Sequence, residues 1–253
     1  MRDNLPSIEL LGTRVDATSY DDATARVMEW AQGRQSRYLC AANVHMVMEG
    51  YDDLSFQRVV NGASLVTPDG MPLVWALRQL GIEGQQRVYG PTLTLKVCEE
   101  AARTGVPVGF YGARPETLRE LVRRLTLRFS GLEVAYAYAP PFRPLSAVED
   151  AEVEAHFERS GARVLFVGLG CPRQERWMAS KVGRVNAPML GVGAAFDFHA
   201  GQVRQAPALL QSAGLEWAFR LAAEPRRLWR RYLKHNPRFV ALMSRQLLRS
   251  TRV

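Results

Sequence analysis

An α/β fold, with a mostly parallel sheet flanked by helices on both faces, is predicted by two features of the sequence. Short apolar runs alternate with longer amphipathic stretches at the spacing of strand and helix units. Glycine-rich or polar turns follow several of those runs. Separately, cationic residues gather at the C-terminal end. The 253 residues carry a net charge of +8, and Ala200 to Val253 alone holds eleven Lys or Arg against Glu216 and Glu224. These features divide the chain into a near-neutral body, residues 1–200, and a basic helical appendage, residues 201–253.

A strand is predicted around Thr13 to Val15, followed by an amphipathic helix from Tyr20 to Ala31 with Ser19 and Asp22 at capping spacing and Gly33 at its end. Tyr38 to Ala42 reads as a buried strand ending at Asn43. Helical periodicity resumes through Val44, Val47 and Met48 and again from Leu54 to Val60. Asn61-Gly62 turns into a strand at Leu65 to Thr67, which Pro68 stops; Asp69-Gly70 makes the turn into a helix from Met71 to Leu80. After a loop from Gly81 to Gln86, the Gly90-Pro91 turn leads to a helix from Thr92 to Arg103. Val108 to Tyr111 is a strand, Gly112 to Thr117 a turn, and a helix runs on to Phe129. Leu132 to Tyr138 is the next strand and Ala147 to Arg159 the next helix. Val164 to Val167 then precedes the loop Gly168 to Glu175, a short helix through Trp177, and a last strand from Pro188 to Gly193. Near the end, Asn236-Pro237 reads as a helix start, with Phe239, Leu242, Met243 and Leu247 on one face and Arg238, Arg245, Arg249 and Arg252 on the other.

Composition narrows the class. At 47% hydrophobic and 23% charged residues, the chain has ordinary globular values. No apolar run approaches the roughly 18 to 20 residues of a membrane-spanning helix, and Met1 to Pro6 lacks the pattern of an export signal. Cys40, Cys98 and Cys171 fit neither a disulfide framework nor a metal motif, which suits a reducing compartment. The cationic tail points to an anionic partner: a membrane surface, a diphosphate or a nucleic acid. A last helix packed on the body, with its arginines in solvent, is the plainer account.

Several residues stand at the carboxyl ends of predicted strands, where open α/β sheets bind ligands. Asp69 and Asn43 both do so, although an Asp in such a turn also serves as a turn former or helix cap. Arg87 lies between a polar loop and Gly90-Pro91, a placement suited to an exposed guanidinium aimed at phosphate or simply solvated. Gly112, Gly168 and Gly170 put small residues between a strand and a helix start, where backbone N–H groups can cradle an anion such as a nucleotide diphosphate. Neither glycine turn is the dinucleotide fingerprint, and the P-loop is absent. His45 reads as a surface or packing residue and Cys171 as a space-filler. No Asp-x-Asp triplet occurs, so no metal site is evident.

Six separated motifs resemble the WecG/TagA/CpsF glycosyltransferases, glycosyltransferase family 26. They are Asn43; Thr67-Pro-Asp69-Gly70; Arg87-Val-Tyr-Gly90; Val167 to Glu175; Gly191 to Asp197 with Ala200-Gly201; and Gly214-Leu-Glu-Trp217 with Arg220 to Tyr232. The resemblance implies a Rossmann-like fold and an inverting, metal-independent transfer of a hexose from a UDP-sugar to a saccharide on undecaprenyl diphosphate. It implies no cofactor and a peripheral enzyme at the cytoplasmic membrane face, working in exopolysaccharide or cell-envelope polysaccharide synthesis; the oligomeric state, a homo-oligomer included, stays open. It places the general base on Asp69 beside Asn43, a diphosphate-contacting arginine on Arg87, and the family's loop residue on Gln174, next to Glu175. The tail arginines of membrane-linked members fall on Arg220, Arg227 and Arg230. Members such as TagA have Thr two residues before the Asn, where this chain has Ala41, so glucose is favoured slightly over N-acetylmannosamine as the donor sugar.

Two other classes share some of these features. A Rossmann-type oxidoreductase would also be α/β with glycine turns, but it would carry the missing fingerprint; stabilisation by NADH rather than UDP distinguishes it. A nucleic-acid-binding module would use the basic aromatic tail, yet the basic residues are confined to one terminal segment, and no nucleic-acid partner is expected.

Overall fold

The computed structural model describes residues 5–250; residues 1–4 and 251–253, Arg252 among them, lie outside the described residues. In chain order the first elements are β1 (Ser7–Leu10), β2 (Thr13–Asp16), α1 (Tyr20–Gln32), β3 (Arg37–Ala42), α2 (Val44–Asp52), α3 (Leu54–Asn61), β4 (Leu65–Pro68), α4 (Met71–Gln79) and α5 (Gly90–Thr104). There follow β5 (Val108–Gly112), α6 (Pro115–Arg128), β6 (Val134–Tyr138), α7 (Ala147–Ser160), β7 (Val164–Gly168), α8 (Arg173–Lys181), β8 (Pro188–Gly191), α9 (Ala195–His199), α10 (Ala208–Ser212), α11 (Glu216–Ala223) and α12 (Pro225–Ser250).

Six strands form one parallel sheet in the order β4-β3-β8-β7-β5-β6. Their apolar runs are continuous because both faces are covered, and successive residues point to opposite sides. Leu39, Leu65, Phe110, Phe166 and Leu190 pack with α1, α5, α6 and α9 residues such as Val27, Val97, Leu121 and Phe196. Cys40, Val66, Tyr111, Val167 and Met189 face the other way, toward Met46, Phe56, Leu73, Met178, Phe239 and Met243. The expected α/β sheet with helices on both faces is therefore what forms.

Local departures from expectation have clear causes. The hairpin of β1 and β2 was legible only in its second strand. Its turn is Leu11-Gly12, both at positive φ (52° and 83°), the geometry of a two-residue hairpin without the usual Asn-Gly or Asp-Gly signal. The hairpin closes the edge of the sheet: Asp16 Oδ2 accepts the Val66 N–H at 2.7 Å. Ser19 does cap α1 by accepting the Asp22 N–H, but the Asp22 carboxylate turns to Thr18 and Arg26 instead of completing a capping box. Gly90-Pro91 is the first turn of α5 itself, where a proline without its N–H costs nothing.

The largest departure is α12. Asn236-Pro237 does not begin a helix but lies inside one that starts at Pro225. An interior proline costs about 3 kcal/mol, while burying Leu228, Phe239 and Met243 returns about 1.5–3 kcal/mol each. Packing thus carries the helix through Pro237. The predicted apolar face holds, with Leu242 and Leu247 against the same core, and α12 lies across α2 and α4. At the margin of that face Arg238, expected among the outward arginines, instead reaches α2 and binds both oxygens of Asp52, at 2.9 and 2.6 Å.

Candidate active site

The carboxyl ends of β3 and β4 are tied together by backbone. The Ala42 carbonyl accepts the N–H groups of Asp69 (2.8 Å) and Gly70 (3.1 Å). Gly70 sits so close that a Cβ there would lie 3.3 Å from Asn43 Cα. Asn43 Oδ1 accepts the Met46 N–H and caps α2. Asp69 does not cap α4; that helix begins at Gly70 without any side-chain cap. Instead Asp69 Oδ1 accepts the Gly90 N–H, at the first turn of α5, at 2.7 Å. Burial pushes the Asp69 carboxyl up to about 6, opposed by the Arg87 charge and the Gly90 bond and helped by the Glu216 charge. A carboxylate of that strength is suited to accept a proton near neutral pH.

Arg87 is not the exposed guanidinium that its loop suggested. Its Nε donates to the Asp69 backbone carbonyl, its Nη2 donates to Glu216 Oε2 at 2.6 Å, and its plane lies 3.9 Å over the Tyr89 ring. Tyr89 donates its hydroxyl to the other Glu216 oxygen at 2.8 Å. Glu216 comes from α11, more than a hundred residues away, which is why no local pattern revealed it.

A cavity of 770 Å³ opens above these residues. Its lining includes the polar side chains Asn43, Asp69, Arg87, Glu216, Arg220 and Arg231, together with apolar residues of α4 and α12 such as Met71, Trp75, Phe239, Val240 and Leu247. The Nε groups of Arg220 and Arg231 are buried without an acceptor. Burial holds the Arg231 guanidinium below its ordinary strength, and the Arg220 and Arg227 charges push the same way. Two crowded cations with unused donors are what an anion with several oxygens would satisfy.

The remaining expected residues lie elsewhere. Gly112 and Gly168 end adjacent strands and are required by close packing: a Cβ on Gly112 (φ 128°) would fall 2.5 Å from the Gly168 carbonyl oxygen, and one on Gly168 would fall 2.6 Å from the Phe196 ring. Gly170 (φ 79°) has open space before it. Its N–H donates to Gln174 Oε1 at 3.1 Å, and Gln174 Nε2 donates to Glu175 Oε1 at 2.7 Å. Both side chains are buried under the β7 to α8 loop, off the wall of the cavity, and burial pushes Glu175 up to about 7. Arg227 is exposed and pairs with Glu224, and Arg230 is exposed beside Trp229. Cys171 packs against the core, and burial raises its thiol well above the ordinary range.

Among the cavity residues, Arg231 and Glu216 lie inside the resemblance motifs without an assigned role, His45 reads from sequence as a surface or packing residue, and His235 belongs to no sequence motif. Leu228, Arg231, His235 and Phe239 recur three to four residues apart, so the helical stripe that points Arg231 inward and Arg230 outward was present in the sequence. Burial and the Arg231 and His235 charges lower His45 to about 3, so it is neutral.

Residues 8–253 match the family model described as "Glycosyl transferase WecG/TagA/CpsF family", and the chain belongs to that family. It is accordingly a glycosyltransferase of cell-envelope polysaccharide synthesis.

Proposed function

We propose that this family member is an inverting hexosyltransferase that moves a sugar from a UDP-sugar to a saccharide carried on undecaprenyl diphosphate. The observation that carries the reading is the one cavity that the Asp69 carboxylate shares with two guanidinium groups with unused donors. In the proposed step the acceptor hydroxyl oxygen attacks the anomeric carbon as the carbon–oxygen bond to UDP breaks. The hydroxyl proton passes to Asp69, and the electron pair leaves with the UDP phosphate. Gly90 occupies Asp69 Oδ1, so Oδ2 is the oxygen that takes the proton. Asn43 orients the acceptor beside it, and Arg220 and Arg231 take up the charge growing on the diphosphate, a role guanidinium groups fill without losing a proton. Arg87 joins them when Glu216 yields its place to phosphate. The uridine lies toward Gly112, Gly168 and Gly170, over a loop that Gln174 and Glu175 hold in shape.

The apolar lining from α4 and α12 suits the lipid part of the acceptor. Among the described residues no helix is long and apolar enough to cross a membrane. The exposed Trp217, Trp229, Leu233 and Leu248 stand among the exposed arginines Arg226, Arg230, Arg245 and Arg249. That mixture supports peripheral docking at the cytoplasmic leaflet, where each cation near an anionic surface contributes about 1 kcal/mol. Arg227 and Arg230 act there, or on the acceptor diphosphate as it is presented.

The test is a panel of UDP-sugars with a short synthetic undecaprenyl-diphosphate-type acceptor, read by mass. One UDP-hexose should give an acceptor one sugar heavier. No product with any UDP-sugar would overturn the proposed donor class. Ala41 lies within reach of the site, its Cβ 3.5 Å from where a Gly90 Cβ would be, and it supports glucose over N-acetylmannosamine.

A further inference from the structure

We propose that His45, Glu49 and His235 form a zinc-type metal site that staples α12 to α2 beside the active-site cavity. His45 and Glu49 stand one turn apart on α2, on the same face, and His235 comes from α12. One ligand atom from each lies within 4.8 Å of the others. His235 Nε2 is 3.2 Å and His45 Nδ1 3.8 Å from the same Glu49 oxygen. The longer separation is not a hydrogen bond. It is near the ~3.4 Å between two ligands of one tetrahedral ion with bonds of about 2.0–2.1 Å.

One ring also presents a donor that nothing else uses: Nδ1 of His45, the atom turned toward Glu49, is buried without a hydrogen-bond partner. The Cys171 backbone lies beside the His45 ring, where a second contact would fix the ring orientation of a metal-bound histidine. The rings are 5.1 Å apart and tilted by 59°, so their edges converge instead of stacking. Two imidazoles and a carboxylate select zinc, cobalt, nickel or copper over magnesium or calcium. The charges of Arg231 and Lys234 bear on the site; the Lys234 ammonium is drawn aside to Asp52 at 3.2 Å, which leaves Arg231 as the main cost to metal affinity.

The location gives the staple a purpose. His45 is two residues beyond Asn43, and His235 is one helical turn beyond Arg231. A metal joining them fixes the arginine-bearing helix against the helix whose cap lines the acceptor side of the cavity. His45 and His235 both line that cavity, so the fourth position of a tetrahedral ion faces it and takes a water. The ion here holds structure and does not act on the departing UDP.

The experiment uses the full chain, stripped with chelator and titrated with Co²⁺ and then Zn²⁺. One equivalent of Co²⁺ should give the intense visible bands of a tetrahedral ion, and Zn²⁺ should abolish them and raise the melting temperature. His235→Ala and Glu49→Gln should each weaken Zn²⁺ binding at least tenfold; Glu49→Gln keeps the shape of the side chain and covers the case in which His235→Ala fails to fold. Absence of stoichiometric binding, or binding unchanged in Glu49→Gln, overturns the site. None of these readouts depends on sugar transfer, so failure of the proposed reaction leaves them intact.

Discussion

Asp69→Asn separates the two consequences of burying a carboxylate at the end of β4. Oδ1 of an asparagine can still accept the Gly90 N–H, and the Arg87 bond to this residue goes to its backbone carbonyl. The perturbation therefore removes charge and basicity while keeping the local bonds. Raising the Asp69 carboxyl from 3.8 to about 6 means that its ionisation opposes folding by about 3 kcal/mol once the pH is well above 6, at 1.36 kcal/mol per unit. A raised carboxyl contributes its stability below the unfolded value and loses it as pH climbs from about 4 through 6. Asp69→Asn should thus be more stable than the parent at pH 8, by up to about 3 kcal/mol or roughly 6–12 °C, and the advantage should vanish near pH 4. Turnover should fall by about 10²–10⁴ with the loss of a general base, while UDP binding persists. Parallel urea or thermal melts at pH 4.5 and 8, with transfer assays by mass, measure both. Unchanged turnover, or a stability gain independent of pH, would refute the reasoning.

Other substitutions probe the same cavity. The Glu216 charge helps to keep the Asp69 carboxyl up, so Glu216→Gln should move the acid limb of kcat/KM below pH 6; a limb that stays or moves upward contradicts the coupling. Arg231→Ala should lower kcat/KM at least tenfold on a soluble acceptor, whereas Arg230→Ala should change it less than twofold there and matter only with vesicle-borne acceptor. Equal effects of the two on soluble acceptor would sink the assignment of inward and outward faces. Gly168→Ala, which forces a Cβ onto the Phe196 ring, should cost about 1–3 kcal/mol as an overpacked core does, read as a lower urea midpoint. A neutral result would return Gly168 to a purely anion-binding role.

Much of the framework was legible locally. Continuous apolar runs announce strands covered on both faces, because a parallel sheet with helices on each side leaves no polar face to encode. Asn43 and Asp69 could be placed at strand ends for the same reason. The β1 strand and the path of α12 through Pro237 were not legible: the first depends on a positive-φ Leu11, and the second on Phe239 and Met243 finding a core far away in the chain.

The sequence by itself determined the class of fold, the edge of the sheet where ligands bind, and the basic character of the C-terminal segment, since each follows from periodicity or charge within a short window. Only the tertiary structure decided how the site is charged. Arg87 meets Glu216 across 129 positions, Arg231 turns inward while Arg230 turns out, and His45 meets His235 across the interface of α2 and α12. Such pairings depend on how helices pack, and a local pattern of residue types carries no record of which distant side chain will fill the other half of a contact.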